Sequence, residues 1–389
     1  MVNMFTHYFA VRRSKIFFSA PAVPVGGKRK DLDEDIKTLP VGYRQCFVII
    51  HGKGEIQDMM TRQLHIKHSI IETAFVLVFT TFLTVTAVGE RAFAAGIPEF
   101  DEVLSEESVR SLSGKYDKDG YFLSDYAFNR NDGFFAFMQL FYFTPQTPVI
   151  QTLPTVVHEA FHKYTRNDTG LTVDGKEHES MKVYTGNGKG IKVHFTRIFR
   201  SKDIAESMPK RCRDTSSRFS LYVEDAGGTM LSDWDGIYGL LNEFGGYCWG
   251  MHDNVKLFAY RDRFADTLGT WQGFIEEGES DRLAYAEFKY YILHYLRYAK
   301  EHHPAIYKKI MANAKFKKAY TVLEKQFSQD IAQYEKQVGQ VRLRIKRAGG
   351  NVSEVDKLTK DTSVRKSYDV LIKEIGKKTY RDIEGQLQK

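Results

Sequence analysis

The chain of 389 residues is poor in cysteine, with only three, and none of them forms a C-x-x-C pair. This argues against a cysteine-held zinc site or a thiol redox motif. A large basic surplus is also missing, because residues 95–389 carry 44 of the 56 Lys and Arg against 41 of the 49 Asp and Glu. A nucleic-acid surface requires dense basic residues on one face, so no nucleic-acid partner is expected. Internal repeats and low-complexity tracts are absent, whereas 42% hydrophobic and 14% aromatic residues provide for a packed core.

Residues 59–94 are organised like a signal peptide. A basic start is followed by the uncharged, mostly apolar run 73–89 and by A-F-A directly before Ala95, where cleavage is expected. An uncleaved membrane anchor and a buried core helix are the alternatives, since seventeen uncharged residues approach the length that spans a bilayer. The segment predicts a secreted or cell-envelope protein of a bacterium, in contact with a membrane only if the segment stays attached. In an exported protein Cys212 and Cys248 could form one disulfide, and the sequence leaves this open.

The signal-like segment begins well inside the chain. We hypothesise that residues 1–58 are not a domain and that the true start lies near Met59, because they show no sustained helical or strand periodicity. Residues 53–55, K-G-E, could also be encoded by a purine run that resembles a bacterial ribosome-binding site.

From Ala95 onward the hydrophobic pattern is mainly helical. Residues 181–199 alternate around a glycine-rich turn and predict a β-hairpin. The aromatic run 134–143 predicts a buried strand or short helix, and Pro154 suits the first turn of a helix that ends near residues 167–170. Further helical patterns lie around residues 233–252, 257–266 and 281–301.

Residues 304–389 predict a helical C-terminal region that packs on a domain formed by residues 95–303. Apolar residues recur there at three- and four-residue steps on either side of a turn, A-G-G-N, at residues 348–351. They are Leu323, Phe327, Ile331, Tyr334, Val338 and Val341, and then Val364, Tyr368, Leu371 and Ile375. This pattern predicts a helical hairpin that folds back on itself or on the main domain. The expected fold class is therefore α+β and mainly helical.

The sequence T-V-V-H-E-A-F-H at residues 155–162 carries the clearest chemical signal. Residues four apart share one face of a helix, so His158 and His162 can direct their imidazoles to one point. Zinc held by two imidazoles and a carboxylate keeps a fourth position for water and lowers the pKa of that water to about 7. Glu159 can take a proton from that water and deliver it to a leaving amine. The alternative is a half-exposed helix with two ordinary histidines, and the charged Lys163 departs from the usual zinc-peptidase pattern.

Three residues are candidates for the remaining protein ligand. Asp168 lies six residues after the second histidine, but Thr165 stands where the pattern H-E-x-x-H-x-x-G-x-x-H requires glycine. Glu224 lies in a predicted strand or loop, where a solvent-facing role is equally expected. Glu243 is favoured, because on a helix it shares one face with four glycines: Gly236, Gly239, Gly246 and Gly250.

A glycine face on a helix requires an explanation, since each interior glycine costs up to about 1 kcal/mol. Close approach of a second helix provides one and would let the short side chain of Glu243 reach a metal held by that neighbour. The other reading is that the glycines serve packing alone and Glu243 pairs with a buried base. The opposite face is apolar and predicts core: Ile237, Leu240, Leu241, Phe244, Cys248 and Met251.

H-E-A-F-H together with N-E-F-G-G on a later helix resembles the gluzincins, the zinc metallopeptidases of the thermolysin type. The resemblance implies a zincin-like core with the β-hairpin as an insertion, zinc as cofactor, and a peptide or protein as substrate. It also implies that His158, His162 and Glu243 bind the metal and that Glu159 is the general base. Members often have Asp four residues after the ligand Glu to orient a histidine, and here that position is Tyr247. G-I-Y-G-L-L-N-E is also similar to a stretch of uncharacterised secreted bacterial proteins.

A hydrolase of this kind needs a donor for the oxyanion of its intermediate. Tyr247 and His252 are candidates for that role or for support of a ligand, and so is His294 in an aromatic helix. The leading prediction is an exported zinc-dependent hydrolase, and specifically a peptidase. The alternative is a catalytically inert, zincin-like binding module at the cell envelope, and a helical structural protein is a third reading.

Overall fold

The computed structural model describes residues 103–129, 133–140, 147–167, 180–224, 231–264, 268–360 and 362–389. Residues 1–58 and the predicted signal segment 59–94 lie outside the described residues, as does Asp168. The chain from Ile97 to Lys389 forms one compact unit. None of the described helices combines the length and the apolar character needed to cross a bilayer.

The first described helices are α1 (Glu106–Tyr116), α2 (Lys118–Asn129), α3 (Gly133–Leu140) and α4 (Val149–Asn167). Helix α1 begins with a reciprocal cap, in which Ser105 Oγ accepts from the Ser108 backbone N–H and Ser108 Oγ accepts from the Ser105 N–H. The run that the sequence predicted as a strand or short helix is helical in its described part, α3. Helix α2 packs against both α1 and α4.

Helix α4 carries the H-E-A-F-H motif and begins earlier than expected. Pro154 lies inside α4, which starts at Val149, so its predicted place in the first turn is wrong. A proline within a helix leaves the carbonyl four residues earlier without its N–H partner. Here that carbonyl belongs to Ile150, and the buried side chain of Arg261 donates to it through Nη2 at 2.8 Å. A distant arginine therefore replaces the bond that Pro154 cannot make.

Two strands, β1 (Ser180–Tyr184) and β2 (Gly190–His194), form the predicted hairpin. They pair antiparallel, from Ser180 opposite His194 to Tyr184 opposite Gly190. Asn187 in the turn has φ 53°, and the glycines on either side of it also have positive φ. This left-handed conformation explains the glycine-rich turn, because it is costly for most other residues.

The central part of the chain contains a 3₁₀ turn, a π turn and helices of very different length. In chain order they are Ser201–Ile204 (3₁₀), α5 (Lys210–Thr215), Ser220–Glu224 (π), α6 (Leu231–Trp234), α7 (Gly236–Lys256), α8 (Phe258–Arg261) and α9 (Leu268–His302). Within α7 every residue except Tyr247 and Lys256 is buried. Helix α7 packs against α4 and α9, so it lies at the centre of the core.

The C-terminal region is helical, as predicted, and folds back on the rest of the compact unit. It contains α10 (Pro304–Ala312), α11 (Ala314–Arg347), α12 (Val352–Thr359), α13 (Ser363–Ile375) and α14 (Lys378–Leu387). Helix α11 packs on α7, whereas α13 and α14 pack on α9. Gly349, with φ 77°, lies in the turn that ends α11. The observed class is α+β and mainly helical, with one small two-stranded sheet in the described part of the chain.

Candidate metal centre

His158 and His162 lie one turn apart on α4 and direct their side chains to one point. Their Nε2 atoms are 3.0 Å apart, and both residues are buried. At this distance the two nitrogens either share a proton or bind a common cation. The helical spacing therefore has the geometric result that the sequence predicted.

Glu243 on α7 joins this pair. Its Oε2 lies 3.5 Å from His162 Nε2 and 4.0 Å from His158 Nε2, and one donor atom from each residue lies within 4.8 Å of the others. Two glycines of α7 explain how this helix comes so close to α4. A Cβ on Gly246 would be 3.0 Å from His158 Nε2, and one on Gly250 would be 3.1 Å from the carbonyl oxygen of Pro154. The predicted close approach of two helices is confirmed at these two glycines.

The separations of the three donor atoms are compatible with a shared metal ion. Donor atoms at 2.0–2.2 Å from a tetrahedral zinc are about 3.4 Å from one another. The observed separations of 3.0, 3.5 and 4.0 Å lie around this value. We call His158, His162 and Glu243 the first cluster.

Electrostatics show that the first cluster holds a buried negative charge that needs a positive partner. Burial opposes ionisation of Glu243, but the attraction of His162 and His158 lowers the pKa of this carboxyl to about 2. Burial likewise opposes a charge on His162, yet the pKa of His162 is raised because Glu243 faces it. A proton on an imidazole or a bound cation can supply the missing charge. The donor set of two imidazoles and one carboxylate is one of those that catalytic zinc sites use.

The support behind the imidazoles is unusual. A histidine that binds a metal usually donates its second N–H to an acceptor. His162 Nδ1 is buried and has no hydrogen-bond partner among the described residues. Tyr247, which stands where the resemblance expects Asp, makes an edge-on ring contact with His158, with 4.4 Å between the centroids. This contact packs the ring of His158 against Tyr247.

Glu159 lies on the same helix between the two histidines. It is only partly buried, whereas both histidines are buried. Its negative charge contributes to the raised pKa of His162, which places it in the electrostatic surroundings of the first cluster.

Arg218 belongs to the surroundings of the first cluster and was not among the residues predicted from the sequence. Its guanidinium lies over the ring of Tyr247, 4.5 Å from the centroid, and its Nη1 donates to Glu287 Oε2 at 2.7 Å. Burial raises the pKa of Tyr247, although hydrogen bonds from Arg218 and Tyr222 oppose this change. Tyr247 therefore keeps its proton at neutral pH and remains a hydrogen-bond donor. Arg218 follows two serines in no recognisable motif, so only the fold reveals its position.

The other predicted candidates lie elsewhere. Glu224 is exposed at the end of the π turn and belongs to neither group of potential ligands in the described residues. His252 does not face the first cluster, and it lies among Asp117, Asp119 and Asp330. It is nine residues beyond Glu243 on α7, a rise of about 14 Å, so the predicted oxyanion role of His252 is wrong.

His294 and the two cysteines are part of the packed interior. His294 is buried with Ser207 and Tyr380 as hydrogen-bond partners, and burial lowers its pKa to about 3. A neutral, hydroxyl-bonded imidazole of this kind is structural. Cys212 and Cys248 are both buried free thiols, which answers the open question of a disulfide between them.

Comparison with known proteins found no matching family model, no matching curated protein and no matching solved structure.

Proposed function

We propose that this chain is an exported zinc-dependent hydrolase that cleaves peptide bonds, built on a zincin-like core. His158, His162 and Glu243 hold the metal, and Glu159 is the general base. The observation that supports this most strongly is the triangle of donor atoms contributed by two separate helices, with sides of 3.0, 3.5 and 4.0 Å. The proposal of export rests on the signal-like segment 59–94.

The chemistry divides between the metal and the side chains around it. Zinc, when bound, polarises oxygen and lowers the pKa of water to about 7. Glu159 lies beside the histidines and is partly open to solvent, so it can accept a proton from an attacking water and return it to a leaving amine. Tyr247 is protonated and packed against His158, so it is our candidate for donating a hydrogen bond to the oxyanion. Arg218 positions Tyr247 through its contact with the ring.

A second function is supported by specific departures from the hydrolase pattern. His162 Nδ1 lacks a partner in the described residues, and Tyr247 replaces the carboxylate that often orients a histidine. An inert, zincin-like binding module at the cell envelope would tolerate both features, because it does not need a metal that activates water. This alternative predicts that zinc binds without turnover.

Exchange of Glu159 for Gln separates the two functions. In the Glu159→Gln variant we expect one zinc to remain in the first cluster and hydrolysis of a peptide library to fall by about 10²- to 10⁴-fold, the usual contribution of a general base. Metal analysis and mass spectrometry of the cleaved peptides measure the two quantities. Glu276→Gln, a partly buried glutamate on α9, is the matched control and keeps full activity.

Full activity in Glu159→Gln would rule out the proposed base. If the wild-type chain binds zinc in the first cluster and cleaves none of the peptides, the binding module replaces the hydrolase.

A further inference from the structure

A second group of ionisable side chains lies where four parts of the fold meet. Asp117 lies at the junction of α1 and α2, Asp119 in the first turn of α2, and His252 on α7. One donor atom from each of these residues lies within 4.8 Å of the others. We call these three residues the second cluster, and the β-hairpin and α11 contact it from two sides.

One nitrogen of the second cluster, His252 Nε2, faces the two aspartates without a hydrogen bond. His252 Nε2 lies 3.6 Å from Asp117 Oδ1 and 4.0 Å from Asp119 Oδ2, and both distances are too long for a hydrogen bond. The residue is 6% exposed, and Nε2 has no hydrogen-bond partner among the described residues. The two distances are close to the separation of about 3.4 Å between donor atoms on one tetrahedral metal.

The other nitrogen of His252 is supported by a carboxylate. Its Nδ1 lies 3.2 and 3.1 Å from the two oxygens of Asp330 on α11, and the amide nitrogen of Gln326 lies 3.1 Å away. Gln326 also donates to Asp330 Oδ2 at 2.9 Å and so fixes that carboxylate. Two acceptor oxygens at Nδ1 favour a proton there, which leaves the lone pair of Nε2 facing Asp117 and Asp119. This is the carboxylate–histidine arrangement that orients metal ligands.

The two aspartates are held with one oxygen each toward His252. Asp119 Oδ1 accepts from the hydroxyl of Tyr184 at 2.5 Å and from the backbone N–H of Asn187 at 2.7 Å, both in the hairpin. Its Oδ2 is the atom nearest to His252. Asp117 Oδ1 accepts from the backbone N–H of Asp119 at 3.1 Å. The two aspartates are therefore held by hydrogen bonds from the hairpin and from the start of α2.

The charge balance favours a cation over a protonated histidine. Asp117, Asp119 and Asp330 surround one imidazole. One imidazolium offsets only one of these charges, and uncompensated buried charge is costly. A divalent ion between Asp117, Asp119 and His252 supplies a further positive charge at the place where the donor atoms converge.

We propose that the second cluster binds a divalent transition-metal ion of the zinc or manganese type, separate from the ion of the first cluster. One imidazole and two carboxylates suit such a cation, since nitrogen ligands favour zinc and carboxylates also favour manganese. The bound ion joins α2 to α7, while the ligands themselves are tied to the hairpin and to α11. Its role is structural, because it lies within packed elements.

Metal stoichiometry tests this proposal with zinc as the probe. Chelated protein is dialysed against a small excess of zinc, and the bound metal is counted by mass spectrometry. We expect two ions per wild-type chain, one in His162→Ala, one in Asp119→Asn, and none in the double variant. Asp125→Asn, which removes another partly exposed carboxylate from α2, is the matched control and keeps two.

The His162→Ala variant decides the matter even if Asp119→Asn does not fold, because it leaves the second cluster intact. One zinc in His162→Ala supports the second site, and no zinc overturns it. Retention of two ions in Asp119→Asn would also overturn it. Failure of the hydrolase proposal has a different result: the wild-type chain and His162→Ala would each bind one zinc ion, in the second cluster.

Discussion

The first and second clusters differ in the contacts that support the histidine rings. In the first, His162 Nδ1 has no partner in the described residues, and His158 is held by ring contact with Tyr247. In the second, His252 Nδ1 is bonded to Asp330, which Gln326 holds in turn. Support of this kind fixes a ligand and strengthens its bond to a metal. Under our proposals the second cluster holds its ion permanently, whereas the first, with the partly exposed Glu159 beside it, carries out the reaction.

Removal of a ligand from the first cluster should produce the largest effect. We expect His162→Ala to weaken zinc binding in the first cluster by more than about 100-fold, because loss of a mere supporting residue already costs 10- to 100-fold. Competition with a fluorescent chelator measures the affinity. Binding within threefold of the wild type would show that His162 is not a ligand.

Removal of support from the second cluster should have a smaller effect, confined to that cluster. Asp330→Asn leaves His252 without its carboxylate, so the affinity of the second cluster for zinc falls by about 10- to 100-fold. Glu335→Gln, on the same helix but on its exposed side, is the control. The comparison fails if Asp330→Asn changes the affinity of the first cluster instead.

His294 extends the comparison to a buried histidine that is bonded to hydroxyls. Its folded-state pKa of about 3 lies below the ordinary value of 6.5, so the unfolded chain binds the extra proton. Stability from this group is complete above pH 6.5 and falls as the pH decreases toward 3. We expect the wild type to lose about 2 kcal/mol more than His294→Gln between about pH 8 and pH 5.

Urea unfolding at a series of pH values measures this slope. The exposed His302→Gln on the same helix is the control and should keep the wild-type slope. Equal slopes in the wild type and His294→Gln would contradict the assignment of His294 as a buried neutral residue.

The last comparison concerns the glycines that let α7 approach α4. In Gly246→Ala the new methyl group lies 3.0 Å from His158 Nε2, so we expect a loss of about 1–3 kcal/mol in stability and weaker zinc binding. Gly339→Ala on α11 has nothing within 4 Å and should gain up to about 1 kcal/mol. Thermal unfolding with and without zinc measures both. Equal behaviour of the two variants would show that the close approach has no bearing on the metal.

The sequence predicted those features that depend on spacing along one helix. His158 and His162 share a face because they are four residues apart, and the glycines around Glu243 indicated that another helix comes close. The hairpin at residues 180–194 and the C-terminal helices followed from their periodicity. Each of these signals is local, so it is readable without the fold.

Features that depend on several elements meeting could not be predicted. The predicted position of Pro154, in the first turn of its helix, was wrong. The helix begins earlier, and Arg261, more than a hundred residues later, donates to the carbonyl of Ile150 that Pro154 leaves without an N–H partner. His252 was assigned to the wrong site because the sequence gives its face on α7 but not its neighbours Asp117 and Asp330. In each case the partner comes from a distant part of the chain with no motif around it.

The most direct test of the account is a crystal structure of the zinc-loaded protein with anomalous data at the zinc edge. We predict a peak at the first cluster within about 2.0–2.2 Å of His158 Nε2, His162 Nε2 and an oxygen of Glu243. A loaded crystal in which Glu243 turns away from both histidines, with no zinc peak between them, would contradict it.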